Sequence, residues 1–360
     1  MLIRKSGQYL EKAYRRSLQE LNIVLHSKNV LPSGDIAALA YLWNPFTIVA
    51  CLGSSTSPVE NLSVILTLYG ACTGVVSLAA FGWVIATHLS LYPAILIIPV
   101  IILLGRGLDA PPRKLFLIPR NEEVSDSKLY ETAPNDVNFN QSNPRSFVPW
   151  RVVIYFFLWT SVWVACLLAL CSMCLKDYSY LWEMLQSTYG FTLAVEDLSP
   201  NIGVLWYFYA EVFEFFRNFF LIVFHVNVLF MVLPLAIRLN HRPLFLAFVY
   251  IAISSMLKSY PSVGDSALYL GLLGLFRDQL AEMQFSFFLC CGYVGLSLLS
   301  PVMHNLWIWR GTGNANFYFG TALGFALLQI ILVAQSISTM LNHDRKLRKL
   351  VQVGRPGTKS

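Results

Sequence analysis

The 360-residue sequence contains little charge: Asp, Glu, Lys and Arg together make up only 13% of it, against about 25% in an ordinary soluble domain. Hydrophobic residues account for 56% and aromatic residues for 14% of the chain, and they recur in long apolar runs. This balance excludes a water-soluble enzyme. It predicts a polytopic membrane protein whose few charged residues are informative, because each is costly to place in lipid.

Other familiar signals are also missing from the sequence. Its seven cysteines lie within or at the ends of apolar runs, where we expect packing residues and not a disulfide framework. Cys171 and Cys174 have the spacing of a redox or zinc pair, but no second Cys or His pair accompanies them, so no metal site is predicted. No apolar core follows the basic N-terminus for about thirty residues, so no cleavable signal peptide is predicted. No fixed-period repeat is visible, which weakens the case for an inverted-repeat transporter.

Each apolar run is predicted to form a helix, because lipid offers no water to bond exposed backbone groups and about 20 helical residues cross the hydrocarbon layer. The predicted fold class is an all-α, polytopic transmembrane helix bundle with about ten spans between residues 36 and 341. The predicted spans are Ile36–Gly53, Val59–Ala71, Thr73–His88, Leu91–Gly105, Trp150–Cys174, Val212–Leu239, Pro243–Leu257, Ser266–Leu280, Phe285–Met303 and Phe317–Leu341.

The positive excess, a formal charge of +6, lies at the two ends of the chain. We predict residues 1–35 to be a cytosolic basic amphipathic segment and residues 342–360 a cytosolic basic tail, because basic flanks stay on the cytosolic side. An even number of crossings then places the polar, partly disordered loop 105–149 in the cytosol and the acidic loop 176–200 in the lumen. The Asn61 sequon is luminal by the same count but lies against the membrane, which leaves its glycosylation open. A basic tail beside an apolar segment favours this topology over nucleic-acid binding, so no nucleic-acid partner is predicted.

The aromatic segment Leu205–Phe230 contains several polar residues. At about 100° per residue, four of them fall within about 60° of arc and predict one polar stripe on a continuous helix: Glu211, Glu214, Asn218 and His225. Arg217 follows Glu214 by three residues, close enough for an ion pair. Either the stripe joins helices or subunits, or it lines a site for a polar head group while the aromatic side chains meet acyl chains. Acid–base catalysis is not expected, because the two carboxylates point the same way instead of flanking a bond.

Two polar turns lie between predicted spans on the luminal side. In the first, Lys258 and Asp265 either pair with each other or meet a phosphate and a sugar hydroxyl, and a structural corner is the simpler interpretation. In the second, Asn314 and Asn316 follow two tryptophans and a glycine-rich stretch. Side-chain amides suit a polyhydroxylated ligand. The competing interpretation is an Asn/Gly turn that precedes the last helix.

Several motifs, in this order along the chain, resemble those of the class U subunits of the glycosylphosphatidylinositol (GPI) transamidase. The resemblance is carried by Leu42–Ile48 (LWNPFTI), Leu198–Glu214 (LSPNIGVLWYFYAEVFE), Pro234–Leu239 (PLAIRL), Lys258–Asp265 (KSYPSVGD) and Gly313–Phe317 (GNANF). It covers most of the chain from residue 36 to 341. Each motif is weak alone, but their order and spacing make the joint match specific.

The resemblance implies a noncatalytic subunit in the endoplasmic reticulum membrane that helps to transfer a preassembled GPI lipid onto protein C-termini. It implies other transamidase subunits as partners, among them a cysteine-protease-like catalytic subunit, and neither cofactor nor catalytic residue in this chain. The implied architecture is similar to the membrane domain of dolichol-phosphate-sugar glycosyltransferases. By motif match, the GPI-contacting asparagines of the family fall on Asn314 and Asn316. The segment with Glu211 and Glu214 matches a stretch of the family associated with long acyl chains.

The sequence departs from the family pattern, most clearly at its start, and leaves two other functions open. The two further spans and large luminal loop with which family members begin have no counterpart upstream of Ile36, so we expect a short isoform or an incomplete gene model. A glycosyltransferase of the dolichol-phosphate-mannose type needs a luminal acid after its first span, where this sequence offers only Glu60. A secondary transporter needs a broken-helix site at mid-membrane.

Overall fold

The computed structural model describes residues 1–20, 31–108, 149–175 and 179–353. In these ranges every regular element is helical, which confirms the predicted all-α class. The helices are α1 (Leu2–Glu20), α2 (Ser33–Leu42), α3 (Pro45–Leu52), α4 (Ser57–Thr73), α5 (Val76–Leu89), α6 (Ile97–Arg106), α7 (Trp150–Leu175), α8 (Ser179–Leu185), α9 (Phe191–Ala194), α10 (Leu205–Glu211), α11 (Glu214–Leu239), α12 (Pro243–Leu257), α13 (Val263–Leu273), α14 (Ser286–His304) and α15 (Ala315–Val353).

Four of the described helices are long and apolar enough to cross a membrane: Trp150–Leu175, Glu214–Leu239, Ser286–Trp309 and Ala315–Leu350. The pair α2 and α3 adds a fifth span if it crosses as one unit, bent by 46°. Each of the ten predicted runs contains helix, but several of these helices are short. The 15 residues of α12 are only about 22 Å long, less than the roughly 30 Å of bilayer hydrocarbon. The chain is therefore a multi-pass helical membrane protein with four or five candidate spans among its described residues.

The bend between α2 and α3 has a local cause. Asn44 accepts a hydrogen bond from the Phe46 backbone N–H at 3.0 Å and so caps α3, and Pro45 occupies the first helical position. Proline there removes a backbone donor that the preceding helix would need. The Asn-Pro pair therefore ends one helix and starts the next inside the first predicted span.

Helix α12 lies at the centre of the bundle. Its residues from 243 to 252 are almost all buried, and it packs against α6, α11, α13 and α15. Helices α4 and α5 form a tight hairpin, in which Gly70 lies so close to Ala79 that an added Cβ would stand 2.5 Å from the Ala79 nitrogen. In contrast, α7 and α11 expose most of their length. The core is thus a set of short buried helices with long apolar helices around it.

The predicted polar segments correspond only partly to described structure. Helix α1 forms within the predicted segment 1–35, and the predicted tail 342–360 continues α15 as helix to Val353. The predicted loop 176–200 is largely helical from Ser179 to Ala194. Residues 109–148 of the predicted loop 105–149 lie outside the described residues. All seven cysteines lie in the described part and are free thiols.

Candidate functional site

A groove of about 790 Å³ opens between α3, α13, α14 and α15. We call it the apolar groove, because most of its lining is apolar, with side chains that include Phe46, Leu270, Leu296, Pro301 and Phe325. His304 and Asn305, at the end of α14, add polar groups to the lining. A largely apolar concavity with few polar groups is the usual form of a small-molecule or lipid site.

The connection between α14 and α15 forms one edge of this groove. A π-helical turn, Asn305–Trp309, extends α14 and is followed by residues 310–316, which we call the asparagine turn. The Gly313 backbone N–H donates to the Leu306 carbonyl at 3.1 Å, which folds the turn back onto the helix end. Gly311 has φ +63°, a left-handed conformation that glycine adopts without steric cost.

The asparagine turn lies at the mouth of the apolar groove. Trp309 and Tyr318, which bracket the turn in sequence, both line the groove. Asn314 is exposed, and its Oδ1 accepts a hydrogen bond from the Phe317 backbone N–H at 3.2 Å at the start of α15. The amide oxygen of Asn314 thus caps the helix, while its N–H donors are the groups that it can offer to a ligand.

Tyr207 connects the asparagine turn to α10. Its hydroxyl donates to Oδ1 of Asn316, and its ring stacks on Phe319 with the ring centroids 4.4 Å apart. Desolvation and the nearby Glu211 carboxylate raise the pKa of Tyr207 above its ordinary value of 10.0, so the hydroxyl stays a donor at neutral pH. Asn316 is exposed and, like Asn314, bonds the protein through its oxygen. The Glu211 carboxylate therefore lies near the tyrosine that bonds Asn316.

A second polar cluster, the Lys258 corner, consists of Glu60, Lys258 and Asp265. Lys258 Nζ lies 3.0 Å from Glu60 Oε2 and 3.1 Å from Asp265 Oδ1. Only 13%, 12% and 9% of the Lys258, Glu60 and Asp265 side chains are exposed. Buried charges of this kind require partners, and here each carboxylate has the same ammonium group as its partner. The corner thus joins the start of α4, the end of α12 and the start of α13.

Neutral side chains reinforce the Lys258 corner. Ser262 and Asp265 form a reciprocal capping box at the start of α13, and Ser262 also contacts Ser57 with the two hydroxyl oxygens 2.7 Å apart. Asn61 is only 2% exposed, and its Nδ2 donates to the Gly264 carbonyl at 2.8 Å. Since α13 also forms a wall of the apolar groove, the corner supports the site without opening into it.

The family of the chain is shown by comparison with family models. The family model described as GPI transamidase subunit PIG-U matches residues 2–325. The chain belongs to the PIG-U family. The resemblance predicted from the sequence motifs is confirmed.

Relatives of this chain include animal and fungal members of the PIG-U family. It is 34% identical to the GPI-anchor transamidase component PIGU of Cricetulus griseus over 312 residues, which are 85% of this chain and 63% of the relative. The Homo sapiens protein of the same name is 34% identical over 310 residues, with the same shares of 85% and 63%. The GPI transamidase component GAB1 homolog of Schizosaccharomyces pombe is 28% identical over 307 residues, 85% of this chain and 64% of that protein. The chain thus spans less than two thirds of the length of these curated relatives.

The prediction of a single polar stripe on the aromatic segment Leu205–Phe230 is wrong. Val212 and Phe213 are extended, with ψ 134° and 139°, so α10 ends at Glu211 and α11 begins at Glu214. Glu211 is the last residue of α10 and lies near Tyr207, whereas Glu214 lies exposed on the first turn of another helix. The ring of His225, farther along α11, contacts the Leu221 carbonyl at 2.7 Å through Nδ1.

Arg217 bonds a different group from the one that the sequence suggested. Its guanidinium donates to the Val195 carbonyl at 2.6 Å and lies 5.9 Å from the centre of the Tyr209 ring. Val195 follows α9 with φ +50°. Arg217 therefore ties the end of α9 to α11, and Glu214 is not needed to explain its position.

Of the predicted site residues, Asn314 and Asn316 lie in one turn, and Glu211 lies near Tyr207, which bonds Asn316. Lys258 and Asp265 form the ion pair that was one of their two predicted roles. Sequence reasoning missed Glu60 as the third member of that cluster and Tyr207 as the link to Asn316. Tyr207 lies within a motif that carries the family resemblance, whereas Glu60 lies outside these motifs, and no spacing rule connects residues so far apart in sequence.

Proposed function

We propose that this chain is a noncatalytic subunit of the GPI transamidase that helps to recognise the GPI lipid at the asparagine turn. The observation that carries the proposal is the position of this turn at the mouth of the apolar groove. The chain belongs to a family whose members are called GPI transamidase components, and this membership indicates which complex it joins. The groove supplies a surface for acyl chains, and the exposed amides supply donors for a polar head.

The chemistry of the turn suits a glycolipid. The N–H donors of Asn314 and Asn316 are neutral and bind hydroxyl and phosphate oxygens equally well. Tyr207 holds Asn316 in place, so less side-chain entropy is lost when a ligand binds. Glu211, next to Tyr207, is placed to accept hydrogen bonds from sugar hydroxyls or from an amine. The lipid tails would then follow the apolar wall from Trp309 toward Phe325.

The acidic residues of the chain support a role without catalysis. Glu60 and Asp265 both bond Lys258, and neither is placed to move a proton to or from a substrate. Glu211 and Glu214 belong to different helices and do not form a facing pair. The transfer reaction therefore belongs, in this proposal, to a cysteine-protease-like partner subunit.

The same proposal includes a topology. The chain lies in the endoplasmic reticulum membrane with both termini in the cytosol and the asparagine turn in the lumen, where GPI anchors are attached. Helix α4 and the short apolar helices α5, α6, α12 and α13 complete about ten crossings by packing inside the bundle. The architecture is then similar to that of dolichol-phosphate-sugar glycosyltransferases.

The test replaces both amides in cells that depend on this subunit. The Asn314→Ala/Asn316→Ala variant is expected to lower the surface display of GPI-anchored proteins several-fold, while affinity purification still recovers the assembled complex. Asn342→Ala is the matched control, because Asn342 is an exposed amide near the other end of α15. Normal display in the double variant would remove the site from the asparagine turn. If the purified chain is recovered without other subunits, the glycosyltransferase or transporter interpretation takes its place.

A further inference from the structure

The far end of α15 meets the N-terminal helix α1. The Tyr14 hydroxyl lies 3.5 Å from Nε2 of His343, and the two rings are 6.5 Å apart. Asp344 is 4% exposed and bonds Arg242 and His241 of the turn before α12. These contacts hold both helix ends against the bundle, so the side chains on their outer faces form one surface.

This surface carries a concentration of positive charge. Its exposed basic side chains, which we call the basic collar, are Lys12, Arg15, Arg16, Arg345, Arg348 and Lys349. Nearby acids already have partners within the protein: Asp344 bonds the buried Arg242, Glu282 bonds Lys346, and Asp35 bonds Arg4. Within the collar, only Arg15 has a described acidic partner, Glu11, at 2.6 Å. The collar therefore keeps a net positive charge toward its surroundings.

The collar lies at the level where lipid head groups are expected. Helix α15 has 39 residues and is about 58 Å long, longer than the roughly 30 Å of bilayer hydrocarbon. Its apolar part ends at Leu341, and Arg345 to Lys349 follow about 6–12 Å further along the axis. That distance is comparable to the Debye length of about 8–10 Å. Positive side chains at this height are attracted to anionic head groups.

The structure also restricts how α1 can meet a membrane. An amphipathic helix that lies in the interface inserts its apolar face among the acyl chains. In α1 that face is covered by the bundle: Ile3, Leu10, Tyr14 and Leu18 are each 6–8% exposed. Only the basic face remains for contact, so the interaction must depend on charge and weaken with salt.

We propose that the basic collar is a binding surface for the head groups of anionic phospholipids in the leaflet beside it. The interaction is electrostatic and is shared by α1 and the end of α15. It is separate from GPI recognition, because the collar lies at the opposite end of α15 from the asparagine turn. Neither the transamidase partners nor the GPI lipid is needed for it.

The test titrates the detergent-solubilised full chain with fluorescent phosphatidylserine and with phosphatidylcholine of the same acyl chains, at low and high salt. We expect tighter binding of phosphatidylserine at low salt and loss of this preference at high salt. Replacement of Arg345 and Arg348 by Gln is expected to weaken phosphatidylserine binding about fivefold per residue. Lys12→Gln/Arg16→Gln should weaken it to a similar extent, because both helices contribute.

Arg151→Gln is the matched control, since Arg151 is also exposed but lies at the start of α7, outside both the collar and the asparagine turn; it should leave phosphatidylserine binding unchanged. Arg345→Lys/Arg348→Lys keeps the charge and should keep the binding, which separates loss of charge from loss of fold. Equal binding of the two lipids at low salt would overturn the proposal. So would undiminished phosphatidylserine binding by either of the two collar Gln variants, or an equal loss with Arg151→Gln.

Discussion

The asparagine turn and the Lys258 corner are both polar turns between apolar helices, yet their side chains are used differently. The corner is buried, and its two carboxylates, those of Glu60 and Asp265, both bond the ammonium group of Lys258. The turn is exposed, and its two amides bond the protein only through their oxygens. Charge enclosed in a bundle serves the fold, because an unpaired ion there is too costly. Neutral amides at the exposed edge of a groove need no protein partner for every N–H group, because water can bond them. Their N–H donors therefore remain available to a ligand.

This difference predicts opposite results when the two regions are mutated. Changes in the Lys258 corner should lower the stability of the chain before they affect any ligand. Changes in the asparagine turn should lower function and leave stability almost unchanged.

The largest effect is expected for Lys258→Met. It leaves the buried Glu60 and Asp265 carboxylates without their common cation, which is expected to cost about 3–5 kcal/mol of stability. Thermal unfolding of the purified chain in detergent measures this loss as a lower transition temperature. Lys346→Met is the control, because Lys346 pairs with Glu282 at an exposed position, where 60% and 70% of the two side chains are accessible. Equal transition temperatures for the two variants would mean that the corner is not a structural cross-link.

A smaller loss of stability is expected for Ser262→Ala. The variant removes one half of the capping box at the start of α13 and the contact with Ser57, and lost caps cost about 1 kcal/mol. The same thermal unfolding assay should place it between wild type and Lys258→Met. Ser172→Ala is a suitable control, because Ser172 is a half-buried serine that bonds only within its own helix. A Ser262 variant as stable as the Ser172 variant would argue against the cap.

Much of the fold could be predicted from the sequence, because apolar runs and turn residues are local signals. Each of the ten predicted apolar runs contains helix. Lys258 and Asp265 form an ion pair, which is one of the two roles predicted for them from the sequence. The break at Val212 and Phe213 could not be predicted, because neither is a helix breaker and tertiary packing decides their conformation. The partnership of Glu60 with Lys258 joins residues 198 positions apart, which no local pattern encodes.

Tyr207→Phe tests the asparagine turn without a measurable loss of stability. The variant keeps the ring that stacks on Phe319 but removes the hydroxyl that donates to Asn316. Asn316 is then less well oriented, and we expect a lower surface display of GPI-anchored proteins than in wild type, but a smaller loss than in the double asparagine variant. Tyr180→Phe, at an exposed position in α8, is the control. Display equal to the control would show that Tyr207 does not orient the site.

N-linked glycosylation compares the exposure of Asn61 in the Lys258 corner with that of Asn314 in the asparagine turn, and it requires the smallest change to the protein. Asn61 in the native sequon is buried against Gly264 and should carry no glycan, whereas Asn316→Thr creates a sequon at the exposed Asn314. With the sequon at Asn140 removed by Asn140→Gln in both chains, only the Asn316→Thr chain should shift after endoglycosidase treatment. A glycan on Asn61 would contradict the buried corner. An unmodified Asn314 would contradict either its exposure or its proposed luminal position. Labelling of an Asn314→Cys variant whose seven native cysteines are replaced by serine distinguishes the two. An exposed cytosolic thiol reacts with an impermeant reagent in sealed microsomes, an exposed luminal thiol reacts only after the membrane is permeabilised, and a buried thiol reacts in neither case.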